Sequence, residues 1–184
     1  MKRLISSIVA LVVMLSLVAV PAALAQEKEG VTKVTGTLPE ATLELTAPTD
    51  ITLVDTLYGT GDAIGSSTTE GSVLCYGVPS SGYTLSISSD KGDGIMTSGA
   101  NTLLAALLVT ATLLTGDGAE VTPTGNPDNE AVTTTPITVG STSAPAPTET
   151  GTNAITLSVS QARQTSGAAG EYSLILTFTA TAKT

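Results

Sequence analysis

Ser88-Ser89-Asp90-Lys91 places a serine three residues ahead of a lysine, and Asp90 and Asp93 set two carboxylates close together. A Ser-x-x-Lys pair makes an acylating nucleophile when both side chains share one helical turn inside a larger enzyme. Paired carboxylates do acid–base work when a cleft holds them apart at a fixed distance. Here both patterns fall where an alternating stretch runs into Asp90-Lys91-Gly92-Asp93-Gly94, which reads as a turn. The chain has no histidine. That removes the commonest general base, the usual partner of a nucleophilic Ser or Cys, and the commonest zinc ligand. No glycine-rich stretch has the strand-to-helix setting of a phosphate loop. The expectation is a non-catalytic protein with no cofactor.

Calcium is the one ion whose chemistry suits these loops, because it takes oxygen ligands from flexible acidic segments. The candidates are Asp90 and Asp93, then Asp117 with Glu120, then Asn126, Asp128 and Glu130. None follows the EF-hand spacing. Glycan binding draws on exposed aromatic side chains with large contact areas. There are four Tyr, one Phe and no Trp. Tyr83, Tyr172 and Phe178 read as core from their periodicity, which leaves Tyr58 and Tyr76 as surface candidates. Cys75 is the only cysteine, so no intrachain disulfide can form. It shares a strand face with Val73 and Gly77, and the expectation is a buried, inert thiol. An intermolecular bridge or a reactive thiol is the alternative.

The elements that must position these residues begin behind a leader. Residues 1–25 carry Lys2 and Arg3, an apolar run over 4–20, Pro21, and an Ala23-Leu24-Ala25 cleavage site. They read as a signal peptide, with an uncleaved anchor as the alternative, so the expectation is a secreted or cell-envelope protein with no stable membrane span after cleavage. The full chain carries 7 Lys and Arg against 16 Asp and Glu. Two of those cations lie in the leader. So acidic a chain is a poor match for nucleic acid or an anionic membrane surface.

Thr and Val favour strands, while Gly, Asp, Asn and Pro supply turns. Strands are expected over 31–38, over 41–46 with Leu43 and Leu45 on one face, and over 51–54. Gly59 to Ser67 reads as a loop. Further strands are expected over 72–78, ended by Pro79, and over 83–88 with Tyr83, Leu85 and Ile87 inward. Residues 102–114 fit both a helical and a strand face. The reading taken is a strand over 106–114, with room for one helical turn before it. Residues 116–129 are turn-rich, and 140–152 (GSTSAPAPTETGT) read as a long loop. Two more strands follow, over 154–160 and 171–182, and a hairpin of two cannot stand alone. The prediction is all-β: one antiparallel β-sandwich, immunoglobulin-like or jelly-roll, of about eight or nine strands over 26–184.

Gly82, Tyr83, Leu85, Gly170, Tyr172, Leu174, Phe178 and Thr179 carry a resemblance to exported bacterial surface β-sandwich domains. That class includes WxL-type cell-surface domains and spore-coat-U-like and pilus-subunit-like modules. The Trp-x-Leu motifs of the first group have no counterpart here, because there is no Trp. The resemblance implies a non-catalytic extracellular or envelope protein. Its expected partners are copies of itself or other envelope proteins, as in a coat or filament. A glycan- or receptor-binding module is the alternative, and an enzyme a remote one. Residues 26–46 could complete their own sheet or add to a neighbour's.

Overall fold

The protein is described here from a computed structural model covering residues 35–53, 56–77 and 81–183. The expected signal peptide, residues 26–34, Val54, Val78 and Pro79 lie outside these. One compact unit begins at Leu38. It is all-β, and no helix forms among the described residues.

Twelve strands occur there: β1 Thr42–Thr46, β2 Asp62–Ser66, β3 Gly71–Tyr76, β4 Tyr83–Ser89, β5 Thr97–Ser98, β6 Asn101–Thr102, β7 Leu108–Leu114, β8 Val121–Thr122, β9 Glu130–Ala131, β10 Ile137–Thr142, β11 Thr152–Ala162 and β12 Leu176–Ala182. One sheet runs β1-β3-β11-β7-β9, with β2 also on β11; a second runs β12-β4-β10-β8. All their pairings are antiparallel. The number exceeds the eight or nine expected because β5, β6, β8 and β9 are two-residue pieces, too short to leave a period in the sequence.

β11 organises the first sheet. Its residues 154–160 pair with β7 on one side. On its other side Thr152–Ile155 pair with β3, and Ser158–Ala162 pair with β2. The Ser67 amide donates to the Leu157 carbonyl at 3.0 Å between the two. β2 and β3 are therefore one strand interrupted at 67–70.

Inward positions follow the period of two. Tyr83, Leu85 and Ile87 of β4 face Val109, Ala111 and Leu113 of β7 and Ile155 of β11 in one buried cluster. Burying each large side chain is worth roughly 1.5–3 kcal/mol. Gly82 admits the chain to β4 at φ +87, and a Cβ there would stand 2.5 Å from the Thr142 carbonyl oxygen. Only glycine fits both demands.

Several expectations need correction. Residues 35–39 and 51–53 are not strands, although Ile51 and Leu53 pack against the core. Part of the expected 59–67 loop is β2. No helical turn precedes β7; instead 101–102 pair with 97–98. The 140–152 loop loses Gly140–Thr142 to β10 and Thr152 to β11, leaving 143–151. Residues 171–175 precede the final strand rather than belong to it, although Thr97 and Ser173 form an isolated bridge.

Candidate functional site

β12 ends the second sheet, with β4 as its only hydrogen-bonded strand among the described residues, while β1 of the first sheet lies near it. Its sequence is LTFTATA, seven residues without charge, proline or glycine. The other terminal strands differ. β8 and β9 have two residues each, β1 carries Glu44, and β2 carries Asp62. Short length and charge are the ordinary protections against unwanted pairing, and β12 has neither.

The backbone of β12 alternates in direction. The Asp90 amide donates to the Ile175 carbonyl at 3.0 Å, and the Lys183 amide donates to the Gly82 carbonyl at 2.9 Å. The odd-numbered residues thus turn their amides and carbonyls toward β4. With alternation along an antiparallel ladder, Leu176, Phe178, Ala180 and Ala182 turn theirs outward. Their side chains point inward and are half-buried, apart from exposed Ala182, while Thr177, Thr179 and Thr181 are exposed.

Beside this edge lies a cleft of about 1050 Å³. Its walls are 47–53, 56–58 and 164–175, together with Leu176 and Phe178. Its floor is apolar: Met96, Leu103, Leu107, Leu157 and Val159. Arg163 fastens the rim, donating from Nε to the Thr56 carbonyl at 3.0 Å and from a terminal nitrogen to the Thr60 carbonyl at 3.3 Å. Gln164 Oε1 accepts from the Leu104 amide at 2.9 Å. The rim leaves Tyr58 70% exposed and Ile175 63% exposed.

Of the two surface aromatics expected from sequence, Tyr58 is at this cleft. Tyr76 is half-buried on β3 opposite Thr42 and does not line it. Tyr172 and Phe178 pack against the core but are only half-buried. Tyr83 is fully in it. Burial pushes its hydroxyl up to about 12, opposed by the hydrogen bond from Asn153 and assisted by nearby Cys75. Cys75 is 4% exposed.

The acidic candidates do not converge. Asp90 Oδ1 accepts from the Ile175 amide at 2.9 Å, and its other oxygen pairs with Lys91 at 3.2 Å. The Ile175 amide is the main reason its carboxyl is held below the ordinary range. Asp93 caps the Ile95 amide at 3.1 Å. Asp117 and Asp128 sit exposed in separate loops. No three of Asp, Glu, Cys and His gather around a common point among the described residues. Ser88 lies in β4 and Lys91 in the turn after it, so the Ser-x-x-Lys pair does not share a helical turn.

The last strand is legible in the sequence, which leaves residues 26–46 to complete their own sheet or to add to a neighbour's. The part of that segment described as strand, β1, pairs within its own sheet. The signal for the edge was present: no residue from Tyr172 to Ala182 is charged. Compared with known proteins, the chain matches no family model, no curated sequence and no solved structure.

Proposed function

We propose that this is a non-catalytic, secreted or cell-envelope structural subunit built as a two-layer β-sandwich, which assembles by adding an extended strand to β12. The proposal places it with the exported bacterial surface β-sandwich class. One observation carries the reading: the longest terminal strand of its sheet is uncharged, and it borders a cleft with an apolar floor. An added strand would satisfy the outward backbone groups of Leu176, Phe178, Ala180 and Ala182. Main-chain bonds of this kind supply affinity, and pockets for alternate side chains supply specificity. The partner is another copy or another envelope protein.

Ala180→Pro tests this. The Ala180 amide faces away from β4, so proline there removes an outward donor and keeps the ladder to β4, the position where edge strands accept it. Light scattering should show assemblies for the wild-type protein and none for the folded variant. Assemblies unchanged by the variant would contradict the proposal.

Exposed Tyr58 on the cleft rim favours a second reading, a glycan- or receptor-binding module. It requires saturable binding to cell-wall polysaccharide that Tyr58→Ala abolishes and Tyr76→Ala leaves in place.

A further inference from the structure

The even-numbered side chains of β12 divide by size, with large Leu176 and Phe178 in its first half and small Ala180 and Ala182 in its second. Two such strands laid antiparallel about Thr179 match large against small. Leu176 faces Ala182 of the second copy, and Phe178 faces Ala180 of the second copy. From these matched sizes and the direction of the backbone, we infer that the strand added to β12 is β12 of a second copy, in an antiparallel pair centred on Thr179.

The hydrogen-bond pattern requires a register of the same parity, and the matched side-chain sizes choose among those. In an antiparallel pair, residues directly opposite alternate between those that exchange both backbone bonds and those that exchange none. The outward groups of β12 belong to its even-numbered residues, since Ile175 and Lys183 bond toward β4. Centring on Thr179 puts even residues opposite even residues. Phe178 and Ala180 of the two copies then exchange bonds, as do Leu176 and Ala182. A shift of one residue in the pairing sum would set even against odd and leave these groups without partners.

Charge agrees. No residue of β12, β4, β10 or β8 is charged, in a chain with 16 Asp and Glu. Two copies of this sheet meet without the like-charge repulsion that the acidic surface would impose elsewhere. The exposed face then pairs Thr179 with Thr179, and Thr177 with Thr181, as cross-strand threonines. The joint is two-fold and self-complementary, the commonest form of soluble oligomer. The two four-stranded sheets become one continuous sheet.

This inference rests on the proposed role of β12, and the test separates the two. Thr179 is exposed, so Thr179→Lys and Thr179→Glu keep the core and bring like charges together at the centre of the pair. Sedimentation at low salt should show each variant dimerising more weakly than the wild type, by roughly fivefold, the effect of about 1 kcal/mol. Mixing the two variants should restore dimers that contain one of each. If the wild type associates, Ala180→Pro abolishes association, and mixing restores nothing, the symmetric register is wrong while the edge remains the contact. If the wild type stays monomeric at every concentration, self-pairing fails, and the edge is left to a strand from a different envelope protein.

Discussion

The side-chain amide of Asn153 donates to the hydroxyl of Tyr83 at 3.0 Å inside the core. Asn153 belongs to β11 and Tyr83 to β4, so this bond crosses between the two sheets. Both residues are 1% exposed, and Asn153 Oδ1 has no hydrogen-bond partner. The clasp holds in place the strand that β12 pairs with.

Tyr83→Phe removes the acceptor and leaves the Asn153 amide unpaired at both ends. A buried polar group without its partner costs about 1–3 kcal/mol, and the loss should fall in that range. Asn153→Ala should cost less in the Tyr83→Phe background than alone, since the bond it breaks is already gone. Denaturant midpoints for the two single variants and the double variant measure the coupling.

The same tyrosine makes stability fall at high pH. Its folded pKa is raised from 10.0 to about 12, so the fold favours the neutral phenol. That contribution is fully present below pH 10 and is lost as pH rises through about 12. The loss amounts to roughly 2–3 kcal/mol. Denaturant titrations at a series of alkaline pH values should show it, and Tyr83→Phe should be flat where the wild type declines.

Asp90 acts at the other end of the pH scale. Its carboxyl is held below its ordinary 3.8, chiefly by the Ile175 amide. The fold therefore favours the ionised form. The stabilisation is complete above the unfolded value and disappears as pH falls through the folded one. Asp90 is exposed, so solvent screening keeps the effect under about 1 kcal/mol. Asp90→Ala should be slightly less stable than the wild type at neutral pH, and equal to it in strong acid. The affected bond adjoins the start of β12, so exchange of the Ile175 amide should quicken in the variant.

β4 and β7 were legible because strict alternation survives there: Tyr83, Leu85 and Ile87 face one way, and Val109, Ala111 and Leu113 face one way in their strand. β2 was hidden by its glycine. A Cβ on Gly65 would stand 2.5 Å from Ile51 Cγ2, so the glycine marks a close approach and not a turn. That approach also explains residues 51–53. Their apolar side chains suit a strand, yet they cover β2 as irregular chain and supply cleft wall. The cleft was illegible because it joins segments more than a hundred residues apart, such as Leu53 and Leu174. Tyr58 could be named from its type, but only the fold separates it from Tyr76.

The most direct measurement is residue-resolved hydrogen exchange on β12, in assembled and dissociated protein. The amides of Thr177 and Thr179 bond toward β4 and should be protected in both. The amides of Phe178 and Ala180 should exchange quickly in the dissociated protein and become protected on assembly. Fast exchange of Phe178 and Ala180 in the assembled protein would contradict the account, because the edge would then be open while the copies are joined.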